Sequence, residues 1–377
     1  MKKKVVIGIS GGVDSAVAAY LLKEQGYDVT GVFMQNWDPY INNESKDSSK
    51  KNLNVCEAEY DFQQANLVCE KLNIPLHRVN FIKEYWTMVF EPFLAKYKKG
   101  LTPNPDVLCN KYIKFGTFHD YCVKNFNCDF VATGHYAKVN YDKEQDVYQL
   151  LEAYDDEKDQ TYFLCFLNQD QLSKSLFPLS DLTKKEVRDI ANKLDLPNWN
   201  RKDSTGICFI GERNFRTFLK NYIKNKEGPI IDIDTDATIG KHEGIHLYTI
   251  GQRKGLNLGG NESKYFVCKK DPKTNSIYVS NINNKDKHLS SNQVTSKNFN
   301  WISYIPNNNN VELRFRHTKN KVIGKFNIFP NESVAFCYED SMAVTTGQYV
   351  VAYQNGVCLG GGEINKVILN NQHHLKI

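Results

Sequence analysis

The run Val5-Val6-Ile7-Gly8-Ile9-Ser10-Gly11-Gly12-Val13-Asp14-Ser15 constrains this chain more than any other stretch. Its β-branched start predicts a strand buried on both faces, its glycines allow a tight turn, and residues 14–25 read as a helix stopped by Gly26. A strand buried on both faces needs helices above and below it, so the sequence that follows should alternate between the two element types. Strands are expected over 28–34, 76–81 and 130–133, and helices over 57–72, 83–98 and 112–125. The first part of the chain, 1–205, therefore predicts an α/β domain with a doubly wound parallel sheet of nucleotide-binding type. Within it, the polar stretch 42–52 has no apolar period and reads as a mobile loop.

Beyond about residue 200 the pattern changes to short alternating runs separated by Gly, Asn and Asp, at 230–233, 246–250, 265–268, 277–280, 312–316, 333–338 and 349–353. Many short strands with turns between them indicate small β-barrels or sandwiches. The polar segment 281–293 divides them into a central β domain over 206–285 and a C-terminal β-barrel domain over 286–377. No internal repeat stands out, and Asn307 to Asn310 is a low-complexity loop without chemistry.

With 377 residues and 41% hydrophobic content the chain can bury a substantial core, which excludes a small module or a disordered segment. Its formal charge of +5 permits a polyanionic partner without demanding one. The apolar run after Lys2-Lys3-Lys4 is too short for a signal-peptide core, and no stretch approaches a membrane span, so a soluble, cytoplasmic protein is expected. Ten cysteines are scattered singly from Cys56 to Cys358, without a CxxC pair or zinc-finger spacing, and most should be reduced and buried. No metal site is expected from side chains alone.

Glycines between a strand and a helix bring backbone amides and a helix N-terminus close to an anion. A Walker A loop would need a Lys before the final Ser, and Ser10-Gly11-Gly12-Val13-Asp14-Ser15 has none. The motif instead resembles the pyrophosphate loop of ATP pyrophosphatases, which cleave ATP between its α and β phosphates and adenylylate a carbonyl-type oxygen. A nucleophile must then attack the adenylate, and two cysteines are candidates. Cys109, in Asn104-Pro105-Asp106-Val107-Leu108-Cys109-Asn110-Lys111, should stand just before a helix with Lys111 and Lys114 nearby. Cys208 lies between Gly206 and Gly211, with Arg213 close in sequence. Helix N-termini and neighbouring cations favour the reactive thiolate.

Over nearly its full length the chain resembles the bacterial tRNA-specific 2-thiouridylase family. The resemblance is carried by residues 10–15, 104–111, Ala132-Thr133-Gly134-His135-Tyr136, the Lys158-Asp159-Gln160 run up to Leu164, 203–213, Gly251-Gln252-Arg253-Lys254-Gly255-Leu256 and Leu359-Gly360-Gly361-Gly362. It implies that ATP is bound by Gly8, Ile9, Ser10, Gly11, Gly12, Val13, Asp14 and Ser15, with Met34 near the adenine and Gly134 in the following turn. Magnesium is expected to accompany the nucleotide, without an assignable ligand set. The resemblance further implies adenylylation of the C2 oxygen of the wobble uridine in tRNAs of the Lys, Glu and Gln type. Cys208 would carry a persulfide from a separate donor, a relay protein or a cysteine desulfurase. Cys109 would act as nucleophile, leaving a Cys109–Cys208 disulfide to be reduced. Asp106 would serve as a general base or as an anchor for the base. Contacts to tRNA are implied for Asn104, Pro105, Asp106, His135, Lys158, Asp159, Gln160, Arg314, Phe315 and Gln348, with Phe315 able to stack but not to donate a hydrogen bond. The 251–255 turn reads either as a cationic hairpin or as a tRNA backbone contact.

Two other functions fit parts of the pattern. An amidating ligase with a pyrophosphate loop would need a nitrogen nucleophile and has no use for both cysteines. A catalytically silent tRNA-binding protein has no need of Asp14, Ser15, Cys109 and Cys208 together.

Overall fold

The computed structural model describes residues 2–38, 57–203, 206, 208, 210, 215–258 and 264–370. The expected loop at 42–52, and Gly211 and Arg213 beyond Cys208, lie outside the described residues.

The first sheet is parallel throughout, with strands in the order Leu76–Asn80, Asp28–Gln35, Lys4–Gly8, Phe130–Ala132 and Ser175–Leu176. Alternation along the central strand decides what covers each face. Val5, Ile7 and Ile9 pack with Ala16, Leu22, Ala65, Val68, Val187 and Ala191 from the helices Val13–Glu24, Glu57–Leu72 and Lys184–Lys193. Val6 points the other way, towards Phe118 and Cys122 of the helix Phe118–Phe126. The sheet is thus doubly wound, as its apolar central strand requires. The chain leaves the central strand to one side for the next two strands and to the other for Phe130–Ala132. That reversal opens a crevice at the carboxyl ends of the strands, where α/β proteins bind ligands.

A four-stranded sheet follows, ordered Tyr265–Asp271, Ser276–Asn281, Gly228–Asp232, Thr238–His242. The third sheet closes on itself: Ser290–Ser296, Val334–Met342, Val322–Ile328, Asn310–Arg314, Tyr349–Gln354 and Val357–Leu369 form a ring, because the first and last strands also pair. Closure leaves these six strands no open edge.

Three sequence expectations are altered. Residues 246–250 form no strand; a 3-10 turn at Ile245–Leu247 buries Ile245, Leu247 and Tyr248 in the central core, so their apolar spacing reflects burial rather than pairing. The hairpin Lys138–Asp142 and Val147–Leu151, inside the first 205 residues, extends the barrel sheet, with Cys358 opposite Leu150. The helix expected at 112 begins at Pro105. Asn104 is its N-cap, its side-chain oxygen accepting from the amides of Asp106 and Val107, and Pro105 takes the first turn, where its missing N–H costs nothing. Cys109 therefore sits a full turn inside the helix, where a π-helical stretch Cys109–Thr117 starts.

Two joints hold the units together. Trp37, Tyr85, Phe90, Cys109 and Ile113 pack with Phe218, Ile230 and Val279 of the central unit. Val107, Phe115 and Tyr162 pack with Tyr349, Val351 and Tyr353 of the barrel. The stretch around Cys109 contributes to both.

Candidate active site

A cleft of about 830 Å³ runs from the glycine-rich loop to Cys208. Gly8, Ile9, Ser10, Gly12, Val13, Asp14 and Ser15 line it, with Met34, Asp106, Gly134, His135, Lys158 and Gln160.

At one end the loop is organised by its own side chains. Ser15 Oγ donates to the carbonyl of Gly12 (3.1 Å) and accepts from the amide of Ser10 (3.2 Å). Gly11 has φ +78°, and a Cβ there would lie 2.5 Å from the carbonyl oxygen of Asp61. Its own carbonyl accepts from Asn198 (2.9 Å) and Arg201 (3.2 Å). Gly134 opens the turn after the strand Phe130–Ala132 and presses on the loop, since a Cβ would stand 2.8 Å from the Ser15 amide nitrogen. The first amides of a twelve-residue helix have no partner within it, and with glycine where bulk would block approach this end of the cleft fits a polyphosphate. Asp14 is held by Lys184 (2.7 Å) and the Tyr136 hydroxyl (3.0 Å). Lys184, Lys158 and Arg188 all reach Asp203. Burial opposes ionisation of Asp203, but hydrogen bonds from Lys184 and Lys158 pull its carboxyl down to about 2.

Beside Met34, the buried Asn36 lines the cleft with both amide atoms lacking a hydrogen-bond partner among the described residues. A neighbouring donor and acceptor are what an adenine edge requires. No group of three or more His, Cys, Asp or Glu that could hold a metal occurs among the described residues.

At the other end the helix from Pro105 projects Asp106, Asn110 and Lys114, four residues apart, into the cleft. Cys109 Sγ lies 3.7 Å from Cys208 Sγ, so the two are reduced and adjacent. The Cys208 amide donates to Asp106 Oδ1 (3.1 Å), and Tyr85 donates to the Cys208 carbonyl (2.8 Å), fixing the loop on the helix. Cys109 is fully buried, and burial pushes its thiol well above the ordinary range. Cys208 moves the opposite way: the hydrogen bond from Cys109 lowers it most, and the Lys114 ammonium also favours its thiolate. The helix N-terminus expected to activate Cys109 is thus a turn too distant, and the activated thiol is that of Cys208.

Burial raises the Asp106 carboxyl above its usual range, against the Cys208 amide and the charge of Lys114. Burial alone would lower Lys114, but the Cys208, Cys109 and Asp106 groups hold it up. Lys114 Nζ is 3.3 Å from His135 Nε2, and His135 Nδ1 is 2.7 Å from Thr133 Oγ1. An ammonium can only donate, so Nε2 accepts and His135 is neutral with its proton on Nδ1. Burial and the Lys114 charge keep its basicity well below normal.

Several expected tRNA contacts are not in the cleft. Asp159 is buried and accepts from the Ala153 amide (3.1 Å), Thr161 (2.7 Å) and Arg314 (2.6 Å). Arg314 is equally buried and also pairs with Glu152 at 2.7 Å. Phe315 is buried against Tyr338, ring centres 4.6 Å apart. Gln348 donates to the carbonyl of Thr102 (2.9 Å), just before the Asn104 cap. Arg314, Asp159 and Gln348 fasten the barrel to the segments that carry Lys158, Gln160 and Asp106, whereas Phe315 packs inside the barrel itself; a cation buried with two carboxylates is not available to a phosphate. Gln160 accepts from the Tyr136 amide (3.0 Å). Sequence reasoning did not single out Asn36, Asn110, Tyr85 or His317. His317 lines the cleft and donates through Nε2 to the Asp159 carbonyl (2.9 Å). Asn110 was within reach as the residue after Cys109 in the 104–111 run, whereas Asn36, between Gln35 and Trp37, carries no local signal.

The comparisons with known proteins agree with this arrangement. The "tRNA methyl transferase HUP domain" family matches residues 3–212, the corresponding "PRC-barrel domain" residues 216–281, and the "Aminomethyltransferase beta-barrel domain" residues 291–364. The tRNA-specific 2-thiouridylase MnmA of Malacoplasma penetrans is 67% identical over 96% of this chain and 98% of its own length. The protein of the same name from Ureaplasma urealyticum is 51% identical over 100% of this chain and 98% of its own. The chain belongs to the tRNA-specific 2-thiouridylase family. Among solved structures, NMN synthetase from Francisella tularensis is 20% identical over 55% of this chain and 68% of its own, with a TM-score of 0.32, which carries no argument. The fold expected of the family, a parallel-sheet domain followed by two β units, is the fold observed. Among the described residues no helix is long and apolar enough to cross a membrane.

Proposed function

We propose that this 2-thiouridylase family member uses ATP to activate C2 of the wobble uridine in tRNA and replaces its oxygen with sulfur. The observation that supports this most directly is the Cys109–Cys208 pair, 3.7 Å apart, at the far end of the cleft from the glycine-rich loop. Neither an amidating ligase nor a silent binding protein needs such a pair.

In this reading the 8–15 loop and Gly134 hold the ATP phosphates, Met34 and Asn36 the adenine, and the uracil lies between them and Cys208. The C2 oxygen attacks the α phosphorus, pyrophosphate leaves and the N3 proton passes to solvent as the positive charge on the base is relieved, giving carbon a leaving group far better than oxide. N3 is reprotonated when the thiocarbonyl forms. A donor protein places a sulfane sulfur on the Cys208 thiolate. The resulting perthiolate attacks C2, expelling AMP and forming a Cys208–S–S–C2 link. Cys109 then gives up its proton, for which Asp106 is the nearest carboxylate, and attacks Cys208 Sγ. Sulfur keeps the electron pair of the broken bond and remains on the base, while a Cys109–Cys208 disulfide forms. The sulfurs must close from 3.7 Å to about 2 Å to form it. An external dithiol then reduces the disulfide.

Magnesium would arrive with the nucleotide and screen its phosphate charge, Asp14 being the carboxylate at the loop. Lys158, Gln160 and His135 would meet the RNA directly. Asp159, Arg314 and Gln348 would act through the segments they fasten, and the exposed Arg253 and Lys254 would contact phosphates. Reduced cysteines and a tRNA substrate suit the cytoplasm.

The test is thiolation of unmodified tRNA transcripts with ATP, magnesium and a cysteine desulfurase, followed by nucleoside mass spectrometry. Wild type should yield 2-thiouridine at the wobble position, while Cys109→Ser and Cys208→Ser yield none. Thiolation by either variant at the wild-type rate would sink the assignment.

A further inference from the structure

Asn110 is 3% exposed and lines the cleft on the face of the helix that carries Asp106 and Lys114. Its Nδ2 donates to the carbonyl of Asp106 at 2.9 Å. A carbonyl only accepts, so this bond fixes which way the amide faces and leaves Oδ1 presented as an acceptor. Among the described residues Oδ1 has no hydrogen-bond partner. A buried acceptor left unsatisfied costs about 1–3 kcal/mol, which a ligand carrying one donor would recover.

The donor can be identified by position. Asn110 bonds to Asp106, whose carboxylate accepts from the Cys208 amide, and all three line the cleft, so its ligand sits where sulfur is transferred rather than where phosphate is bound. If the cleft takes a uracil there, as the proposed function has it, that base offers one N–H, at N3, adjacent to the reacting C2. Cytosine carries a bare acceptor at the same place, and acceptor facing acceptor is repulsive. We propose that Asn110 Oδ1 accepts the N3–H of the target base and is the residue that distinguishes uridine from cytidine. It is a specificity contact to the substrate, additional to the sulfur chemistry of Cys109 and Cys208.

The inference rests on the thiouridylase reading, so its test compares substrates within that assay. Full-length tRNAs carrying uridine, 3-methyluridine or cytidine at the wobble position are offered to wild type and to Asn110→Leu. Thermal melting checks that the variant is folded. Wild type should prefer uridine over both others by roughly 1,000-fold or more in kcat/KM, the scale for a site built around one hydrogen bond. Asn110→Leu should lose about 10–100-fold on uridine and bring cytidine to within about tenfold of it, while 3-methyluridine, which has no N3 proton to release on adenylylation, stays a poor substrate for both proteins. Wild type thiolating the 3-methyluridine or cytidine tRNA as well as the uridine tRNA would overturn the proposal, even if the variant could not be made. Equal discrimination between uridine and cytidine by wild type and variant would overturn it too. If wild type thiolates none of them, the failure belongs to the thiouridylase reading.

Discussion

Replacing Gly134 with Ala tests whether the crevice depends on two turns touching. The added Cβ would lie 2.8 Å from the Ser15 amide nitrogen, 2.9 Å from the Asp14 carbonyl carbon and 3.0 Å from Ser15 Cα. All three are backbone atoms at the start of a helix anchored in the main core, so no flexible side chain can yield. Bringing the closest contact to an ordinary separation moves the loop by about 0.6 Å, an overpacking that costs about 1–3 kcal/mol. The amides aimed at phosphate move by the same amount, and errors on the scale of 1 Å in a reacting geometry cost up to about 100-fold. We expect Gly134→Ala to fold, to melt a few degrees lower, and to lose about 10–100-fold in tRNA-dependent pyrophosphate release, with a raised KM for ATP. Gly26→Ala is the control. Gly26 has φ +87° but nothing within 4 Å of its Cβ position, so only backbone strain of about 1 kcal/mol is introduced and nucleotide use should stay as it was. Wild-type pyrophosphate release by Gly134→Ala, or equal losses in both variants, would refute the reasoning.

Lys114→Met removes a cation that favours the Cys208 thiolate, so the pH at which Cys208 is half alkylated by iodoacetamide should rise; Cys109, Asp106 and Tyr85, the other titratable groups facing it, remain in place. Thiolation should shift to higher pH with it, and an unmoved alkylation profile would show that the ammonium does not act on the thiol. Arg314→Met leaves Asp159 buried without its cation and should cost about 3–5 kcal/mol in urea unfolding, part of which Asp159→Leu in the same chain should restore. The depressed carboxyl of Asp203 contributes stability that is present above its ordinary 3.8 and lost as pH falls through about 2. Asp203→Asn should therefore melt below wild type at pH 7, and a gap that does not close in melts taken towards pH 2 would contradict the ion-pair account.

The sequence carried the local part of this molecule. Val5 to Ile9 is apolar because both faces of its strand are covered, and the glycines after it could mean little other than a tight, approachable turn. The helix Glu57–Leu72 and the ends of several barrel strands were visible in the same way, since period and breakers are properties of neighbouring residues. The helix from Pro105 was less legible because Pro and Asn read as loop until Asn104 is seen capping it. The hairpin at 138–151 gave no sign that it pairs with a strand two hundred residues later.

What the sequence determined by itself was chemistry in kind: a phosphate-binding turn, two cysteines apart from the rest, and polar groups able to meet RNA. Which of those groups reach the cleft was decided only by the tertiary structure. Arg314 and Asp159 look like ligands for RNA in one dimension and are each other's partner in three. Cys109 and Cys208, 99 positions apart, meet only because the central unit packs on the helix that carries Cys109. The physical reason is common to both cases. Charge state and hydrogen bonding depend on distance and burial, and a sequence specifies those only through the packing it produces.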